Sequence, residues 1–389
     1  MSVSSVLFVV RGAESYGVQR KLLSIVKELK AQGVALALYA IGDGEFVDRC
    51  RAIGGIDIRV EPKPPPRFVG SGLRKVASYL GLIASSSSMV RGLADFLRRN
   101  PFEAVVFCER GWVVPLAVAT RRFPGRVFWL MPDAISGDYP LDLNRRIYAA
   151  AFRRSRLVPI ANSRFTRDTL GRASKWAEVI DLGADPGEFN RKPPPAAPVV
   201  DGLPEDAVKL VIVARLVAHK GQMLLLQALL SRPEFSPIHL VLVGGPLDTP
   251  YADALRDTAG GTGRLHMIGP TADPAPYYTL ADVVVNARTD AEPFGLAIVE
   301  AMMAARPVLA HALGGPAEII VDGATGWHVS APTVEAFAEG LTRMMADRPR
   351  WSEMGAEGER RALERYTASA MTRALVAIID RHGAAPALR

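Results

Sequence analysis

The chain has 389 residues, of which 49% are hydrophobic and 22% are charged, a composition typical of globular proteins that excludes wholesale disorder and a fibrous protein. At roughly 100–200 residues per domain, this length predicts two or three domains. The formal net charge is +7, and the excess of Lys and Arg lies before residue 190. Such asymmetry suggests an anionic partner for that half, whether a lipid surface, a phosphate-bearing acceptor or nucleic acid. A basic surface that serves only solubility is the alternative.

The cysteine content and the N-terminus indicate the compartment. Cys50 and Cys108 cannot form a disulfide framework and lack metal-ligand spacing, so we expect a reducing compartment. The sequence contains no run of about 18 apolar residues, which predicts no membrane-spanning helix. The N-terminal segment carries no basic stretch before its apolar run and no cleavage site behind it, so we interpret it as a β-strand and not a signal peptide. A cytoplasmic location is the expectation.

Short apolar runs alternate with amphipathic patterns along the whole chain. In the first half the predicted strands are Val6–Val10, Val34–Tyr39, Ile56–Val60, Ala104–Cys108, Val127–Leu130 and Leu157–Ala161, and the predicted helices are Val18–Gln32, Leu73–Asn100, Val114–Phe123 and Leu143–Arg154. In the second half the predicted strands are Leu210–Ala214, His239–Gly244, Leu265–Ile268, Val283–Asn286, Pro307–Ala310 and Gly326–Val329. Nearly continuous apolar strands are typical of parallel sheets. The alternation predicts two Rossmann-like, doubly wound α/β domains.

A proline-rich segment predicts the domain boundary. Arg191–Asp206 has no apolar periodicity, and proline removes amide donors and favours extended chain, so we interpret this segment as a linker. The prediction is an N-terminal domain over 1–190, a linker over 191–206 and a C-terminal domain over 207–365. A helical pattern over Arg360–Arg381 predicts a final helix, and we assign 366–389 to a C-terminal helical segment.

The strongest local pattern is Glu292-Pro-Phe-Gly-Leu-Ala-Ile-Val-Glu300. Its proline and Gly295 suit a loop that enters a helix, predicted over about Phe294–Ala305. The first amides of a helix lack intrahelical acceptors and favour anions, so a phosphate could bind at Phe294–Leu296. Eight residues of helix span about 12 Å, which fits the distance between the sugar and the ribose of a nucleotide-diphosphate sugar. The alternative is that both glutamates lie on a solvated helix surface.

Two further patterns follow predicted strands. Arg215 and Lys220 flank a loop after a buried strand, at the edge where ligands bind in open α/β sheets. There they would neutralise a leaving diphosphate, or alternatively they are two solvated cations before a helix. Gly17 follows the first strand in Arg11-Gly-Ala-Glu-Ser-Tyr-Gly17. Glycine there allows backbone to approach a ligand, but the segment fits neither a dinucleotide-binding nor a P-loop fingerprint.

These motifs together resemble those of retaining GT-B-fold glycosyltransferases of glycosyltransferase family 4, the E-x7-E type that builds polysaccharides and glycolipids. VARLVAHKG is similar to the family's donor-diphosphate loop, EPFGLAIVE to its E-x7-E motif and GGPAEIIVDGATGWHV to the segment that follows. GVQRKLLSIVKEL resembles the family's glycine loop and first helix, and IANSRFTRDTL and IDLGADPGEF resemble the end of its first domain. The resemblance implies two Rossmann-like domains facing each other across a cleft.

The resemblance also implies site residues. Arg215 and Lys220 would hold the donor diphosphate, and Glu292 would face the transferred sugar. The remaining implied donor contacts are the Gly17 amide beside the β-phosphate, the backbone at Phe294, Gly295 and Leu296, the Glu300 carboxylate on the ribose, and Gly244 with Ile268–Pro270 around the nucleotide. The last helix would cross back to the first domain.

The chain departs from the family pattern at two places in its first half. Tyr16 stands where the family has the first of two glycines, and it would narrow the space beside the donor phosphate or contact the acceptor. The family's histidine after the strand that ends at Leu130 is absent, because all 6 histidines lie in the second half. Asp133 or Asp138 would take over its polar contacts, unless both acids belong only to an irregular loop.

The function that the resemblance implies is retaining transfer of a hexose from GDP-mannose or a UDP-hexose to a polysaccharide, lipopolysaccharide or lipid-linked acceptor. A non-catalytic GT-B-like protein that binds a nucleotide sugar or a partner is the alternative. The sequence contains no D-x-D triplet, so we expect neither a metal nor a cofactor besides the donor. Nucleic acid is disfavoured as a partner, because stacking aromatics do not accompany the basic residues.

Two basic clusters in the first half predict peripheral contact with an anionic membrane, on the inner face of the cytoplasmic membrane. One lies within Arg67–Arg99 beside an apolar stripe at helical spacing, and the other runs from Arg145 to Arg156. A basic amphipathic helix can lie on anionic lipid. The alternative is a core-facing helix with a solvated basic edge.

Overall fold

The structure, a computed structural model, describes residues 3–12, 17–61, 87–135 and 142–383. Tyr16, Asp138 and the first part of the predicted helix Leu73–Asn100 lie outside the described residues. The chain divides into two compact units, of which unit 1 comprises Met1–Leu182 and Ala368–Arg389 and unit 2 comprises Gly183–Thr367. In the part of the chain that the structure describes, no helix combines the length and the apolar character needed to cross a membrane.

Unit 1 is built around one parallel sheet. Its strands are β1 Ser5–Arg11, β2 Ala35–Ile41, β3 Asp57–Glu61, β4 Ala104–Phe107, β5 Arg126–Leu130, β6 Leu157–Ala161 and β7 Glu178–Val179. Among the described residues the sheet has 7 strands in the order β3-β2-β1-β4-β5-β6-β7, and every pairing is parallel. The predicted strands of this half are confirmed, and of the strands in the described ranges only the two-residue β7 was not predicted.

The helices of unit 1 cover both faces of that sheet. Those in the described part of unit 1 are α1 Gly17–Ala31, α2 Glu45–Ile53, α3 Ser87–Arg99, α4 Val113–Ala119, α5 Leu143–Arg154, α6 Arg164–Asp168 and α15 Ala368–Gly383. Successive side chains of a strand point to opposite faces, and β1 shows this directly. Val6, Phe8 and Val10 pack in the core that includes α1 and α15, whereas Leu7 and Val9 pack in the core that includes α3, α4 and α5.

Unit 2 repeats the architecture. Its strands are β8 Val208–Val213, β9 Ile238–Val243, β10 Leu265–Gly269, β11 Val283–Asn286, β12 Val308–His311 and β13 Gly326–Val329. Its helices are α7 Pro186–Phe189, α8 Gln222–Leu230, α9 Pro250–Ala259, α10 Ala275–Leu280, α11 Leu296–Met303, α12 Pro316–Ile319, α13 Val334–Ala346 and α14 Trp351–Arg365. Within the described ranges the sheet has 6 parallel strands in the order β10-β9-β8-β11-β12-β13. The prediction of two doubly wound parallel sheets is therefore confirmed.

The predicted domain boundary differs from the division that the structure shows. The proline-rich segment Arg191–Asp206 lies inside unit 2, whose first residue is Gly183. Hydrogen bonds tie the chain to unit 2 from that point onward. The Ala184 amide donates to the Tyr366 carbonyl at 2.9 Å, and the Asn190 side-chain amide donates to the Met303 carbonyl at 2.7 Å.

The predicted final helix over Arg360–Arg381 is two helices, α14 and α15. The buried Tyr366 ends α14, since its φ of −117° and ψ of 30° depart from helical geometry. Thr367 then forms a bridge with Ala184, which interrupts helical geometry before Ala368. The helix predicted over Phe294–Ala305 is the shorter α11, and the positive φ of 55° at Ala305 lies beyond its end.

Candidate functional site

The charged residues predicted in unit 2 follow neighbouring strands at the carboxyl edge of its sheet. β8 and β11 are adjacent although they are not consecutive in sequence, so the strand order reverses between them. Ligands of doubly wound sheets bind at such a switch point. Arg215 and Lys220 follow β8, Glu292 follows β11, and Gly314 and Gly315 follow β12.

Glu292 is the centre of a partly buried ionic cluster. Lys220 Nζ lies 3.1 Å from Glu292 Oε2, and Arg288 Nη1 lies 3.3 Å from Glu292 Oε1. The side chain of Lys220 is 21% exposed, that of Arg288 is 17% exposed and that of Glu292 is 13% exposed. Burial acts to raise the pKa of Glu292, but the charges and hydrogen bonds of Lys220 and Arg288 outweigh it and lower the pKa below its ordinary value. The carboxylate is therefore ionised, with a cation on each oxygen.

Arg288 and Asp290 are residues that sequence reasoning missed. Arg288 Nη2 donates to Asp290 Oδ2 at 3.2 Å, so the guanidinium bridges Asp290 and Glu292. His311 Nδ1 lies 2.9 Å from the Arg288 carbonyl, which fixes the backbone from the neighbouring strand. The sequence position of Arg288 could have indicated it. Arg288 lies two residues after the end of β11, at the carboxyl edge of the sheet.

Close backbone contacts hold the loops of the site in place. A Cβ on Gly221 would lie 1.8 Å from the Ala287 carbonyl oxygen, so only glycine lets the loop that carries Lys220 pack against the end of β11. The Glu292 amide donates to the Leu313 carbonyl at 3.1 Å, and the Gly315 amide donates to the Glu292 carbonyl at 2.8 Å. The backbone at Glu292 is thereby joined to the loop after β12.

The helix α11 begins beside this cluster. Gly295 precedes it with φ 107°, a conformation that favours glycine. The N–H groups of Leu296 and Ala297 have no acceptor within the helix and are suited to an anion, whereas the Ile298 amide donates to the Gly295 carbonyl at 2.9 Å. The Phe294 side chain is buried and makes an edge contact with Tyr366, so only the backbone of Phe294 is suited to bind a ligand.

Glu300 lies further along α11 and is buried, only 4% exposed. The Tyr278 hydroxyl donates to Glu300 Oε2 at 2.7 Å. The sequence analysis predicted Glu300 as a ribose ligand but missed Tyr278, which lies on α10. The structure therefore gives this carboxylate a buried protein partner.

The other predicted residues of unit 2 lie around the same edge. Arg215 is exposed, and its carbonyl accepts a hydrogen bond from the Gln222 side chain at 2.8 Å. Gly244 follows β9 with φ 145°, and a Cβ there would lie 2.0 Å from the Ala214 carbonyl oxygen. Gly244 and Arg215 are thus brought together at the carboxyl ends of β8 and β9. This is the same edge of the sheet as the one that carries the Glu292 cluster.

The predicted residues of unit 1 are less fully described. Gly17 is the first residue of α1, and Asp133 is exposed after β5. Tyr16 and Asp138 lie outside the described residues, so their predicted roles stay predictions. Within residues 3–12, 17–61, 87–135 and 142–383, no group of three or more His, Cys, Asp or Glu side chains is arranged to hold a metal ion.

Residues 196–361 match the sequence model of the family described as glycosyl transferases group 1. The matched region lies within unit 2. It includes Arg215, Lys220, Arg288, Glu292 and Glu300, so the ionic cluster lies within the matched region.

Two curated relatives and a crystal structure extend the comparison. The chain is 34% identical over 157 residues to lipopolysaccharide 1,2-N-acetylglucosaminetransferase of Salmonella typhimurium, which covers 38% of this chain and 41% of the relative. It is 31% identical over 221 residues to GDP-mannose-dependent alpha-(1-6)-phosphatidylinositol monomannoside mannosyltransferase of Mycolicibacterium smegmatis, which covers 52% of this chain and 57% of the relative. The chain thus spans about half the length of these curated relatives.

The structural comparison covers nearly the whole chain. The crystal structure of Anabaena HepE in complex with UDP and glucose superposes with a TM-score of 0.75 at 20% identity, covering 96% of this chain and 99% of that chain. At this identity the likeness establishes the fold. The two parallel-sheet α/β units have the GT-B fold, as the sequence predicted.

Proposed function

We propose that the chain is a retaining hexosyltransferase of glycosyltransferase family 4, of the E-x7-E type. It transfers a hexose from a nucleotide-diphosphate sugar, GDP-mannose or a UDP-hexose, to a polysaccharide, lipopolysaccharide or lipid-linked acceptor. The observation that carries the proposal is the pair of cations on Glu292 at the switch point of the unit 2 sheet, beside the first turn of α11. Relatives named for N-acetylglucosamine transfer in lipopolysaccharide and for GDP-mannose-dependent mannosyl transfer support it.

The proposed mechanism assigns the leaving group to the cations. As the glycosidic bond breaks, the diphosphate gains negative charge and the sugar becomes oxocarbenium-like. Lys220 and Arg215 stabilise that charge more in the transition state than in the ground state, together with the first amides of α11. Lys220 carries three N–H donors and gives one to Glu292, so it can contact a phosphate oxygen without releasing the carboxylate. We propose that this arrangement works without a metal ion.

Glu292 takes the place next to the transferred sugar in this proposal. Retention requires the acceptor to enter from the face that the diphosphate leaves. Glu292 would act either as a covalent nucleophile or as an electrostatic partner of the oxocarbenium carbon. Trapping of a glycosyl-enzyme intermediate distinguishes the two roles.

A thermal-shift screen against UDP, GDP, ADP and their sugars tests the proposal. We expect one nucleotide to raise the melting temperature, because a ligand at a hundred times its Kd stabilises by about 2.7 kcal/mol. The same nucleotide should have a much smaller effect on Lys220→Ala. Absence of a shift with every nucleotide would reject the proposal.

A non-catalytic nucleotide-sugar-binding protein is the second candidate. The absence of the family's histidine after β5 favours it, whereas the retained cations and acids favour catalysis. Both candidates bind the donor, but only an enzyme hydrolyses it slowly when no acceptor is present. Release of free sugar from the donor that gives the thermal shift therefore supports the enzyme, and donor binding without release supports the alternative.

We also propose that unit 1 contacts an anionic membrane from the inner face of the cytoplasmic membrane. The exposed Arg146, Arg153 and Arg154 lie on or at the end of α5 and provide the basic surface. The same helix buries Tyr148 and Phe152 beside Trp129, which fits the alternative of a core-facing helix with a solvated basic edge. A lipid-linked acceptor would account for membrane contact.

A further inference from the structure

A buried glutamine begins α8, directly after the loop that carries Arg215 and Lys220. Gln222 is fully buried, although the helix that it begins is apolar apart from the exposed Gln227 and packs in the core of unit 2. A buried side-chain amide is unfavourable unless it is hydrogen-bonded. The hydrogen bonds of Gln222 therefore account for its place in an apolar helix, and they lead to Arg215.

Three hydrogen bonds fix the direction of the Gln222 amide. The Met223 amide donates to the Tyr251 hydroxyl oxygen at 3.2 Å, and this hydroxyl donates to Gln222 Oε1 at 3.2 Å. Gln222 Nε2 donates to the Arg215 carbonyl at 2.8 Å. Because a carbonyl oxygen only accepts, the nitrogen of the glutamine amide must face Arg215. The network therefore runs in one direction and ends on the backbone of Arg215.

Backbone hydrogen bonds also hold the turn at Arg215. The Leu216 amide donates to the Gly245 carbonyl at 2.9 Å, and the Val217 amide donates to the Arg215 carbonyl at 3.1 Å. The Arg215 carbonyl thus accepts hydrogen bonds from Val217 and from Gln222, whereas the residue itself is exposed. Of these two contacts, the one from Gln222 joins the peptide group of Arg215 to a helix of the core. The orientation of that peptide group therefore depends on Gln222.

We propose that Gln222 is a positioning residue, which together with Tyr251 holds the peptide group of Arg215 so that its guanidinium meets the donor diphosphate. Rotation of that peptide group would displace the charge at the end of a long side chain, and a misplacement of about 1 Å can lower a rate by as much as 10²-fold. The proposal rests on the proposed function, in which Arg215 binds the diphosphate. It adds two residues that act on the donor only through Arg215.

Calorimetric titration of the full chain with UDP, GDP and ADP, each beside its monophosphate, tests this proposal. Gln222→Met keeps the length of the side chain but cannot donate to the Arg215 carbonyl. It should weaken the diphosphate that binds the parent chain about fivefold, the effect of one net hydrogen bond. The corresponding monophosphate should change much less, because it lacks the β-phosphate. Gln227→Met, at the exposed glutamine of the same helix, is the control and should change neither affinity.

Melting temperatures separate positioning from folding. Gln222→Met should melt at a lower temperature than the parent chain, because it leaves a buried carbonyl without this donor, so the titrations are made well below the melting temperature of every variant. Tyr251→Phe removes the hydroxyl that holds Gln222 but leaves Gln222 able to contact Arg215, and it should weaken the diphosphate less than Gln222→Met does. A lower melting temperature with unchanged diphosphate affinity in Gln222→Met would show a structural role only and overturn the proposal.

A double-mutant cycle shows whether Gln222 acts through Arg215. In an Arg215→Ala background, Gln222→Met should not weaken the diphosphate further, because no guanidinium remains to be displaced. Equal losses in the two backgrounds would overturn the positioning role.

The same four proteins distinguish this proposal from the proposed function. If Arg215→Ala weakens the diphosphate and Gln222→Met does not, only the positioning role is wrong. If Arg215→Ala binds the diphosphate as the parent chain does, the diphosphate contact assigned to Arg215 is wrong, and the positioning role fails with it. If the parent chain binds none of UDP, GDP and ADP, the proposed function itself is rejected.

Discussion

The Arg288 guanidinium lies 3.3 Å from one carboxylate oxygen of Glu292, and Lys220 lies 3.1 Å from the other. Attraction between partly buried charges is stronger than at an exposed surface, where such pairs contribute little. Arg288 is held by Asp290 and by a backbone contact from His311. Arg288 can therefore keep Glu292 oriented and ionised when Lys220 turns one of its donors to a phosphate.

Replacement of Arg288 should raise the pKa of Glu292. In Arg288→Met, burial would be opposed by Lys220 alone, so the pKa of Glu292 should rise. Since the ionised carboxylate is the proposed active form, activity falls as pH drops through this pKa, and the acid limb of the kcat profile should shift to higher pH. Arg343→Met is the control, because this exposed arginine pairs with Asp322. Superimposable profiles for Arg288→Met and the parent chain would contradict this role.

Removal of either diphosphate cation should slow turnover. Loss of one group that stabilises developing charge commonly lowers kcat by about 10²–10³, so Lys220→Ala and Arg215→Ala should each fall in that range. Lys192→Ala is a matched control, because this lysine is 67% exposed and pairs with Glu359 away from the cluster. A well-folded Lys220→Ala protein with near-normal turnover would reject the assignment.

The glycine before α8 should be irreplaceable for a steric reason. In Gly221→Ala the new Cβ would meet the Ala287 carbonyl oxygen at 1.8 Å, in addition to a positive φ of 72°. Gly261→Ala is the control, since Gly261 has φ 70° but no atom within 4 Å of the added Cβ. The control should cost about 1–2 kcal/mol of backbone strain, and Gly221→Ala should cost more and reduce nucleotide binding. Equal melting temperatures and nucleotide affinities in the two variants would show that the loop moves freely.

Flotation with liposomes tests the basic surface of unit 1. Anionic vesicles should carry the chain at low salt and release it at high salt, because surface attraction is screened. The triple variant Arg146→Gln, Arg153→Gln and Arg154→Gln should float less, whereas three Arg→Gln changes at the exposed Arg350, Arg360 and Arg373 serve as the control. If the chain binds anionic vesicles neither at low salt nor at high salt, the membrane proposal is wrong.

The fold was predictable from the sequence because its strands are buried on both faces and read as continuous apolar runs. β7 was missed because two residues carry no periodicity. The linker predicted over Arg191–Asp206 differs from the division at Gly183, because proline content indicates an extended chain but not which residues that chain contacts. The ionic cluster was not predicted as such. A strand end indicated Lys220 and the loop before a helix indicated Glu292, but the contact of Arg288 with Glu292 depends on loop geometry that spacing does not specify.

A stacked histidine pair in unit 2 should make stability depend on pH. His239 Nδ1 lies 3.0 Å from His266 Nε2, and the ring centroids are 5.3 Å apart. Burial lowers the pKa of both, and for His239 the charge of His266 lowers it further, with Arg264 and Lys209 acting in the same direction and Asp206 against it. The contact of His266 with the Asp201 carbonyl partly opposes the effect of burial on His266.

The direction of the pH effect follows from which state binds more protons. Unfolded histidine titrates near pH 6.5, above the lowered values of the folded pair, so the unfolded chain takes up protons first as pH falls. The contribution of the neutral histidine pair to the free energy of unfolding is complete above about pH 6.5 and is lost as the pH falls below that value. The melting temperature should therefore drop between about pH 7.5 and 5.5, and the double variant His239→Gln, His266→Gln should drop less. An undiminished drop in the double variant would assign the acid sensitivity to other groups.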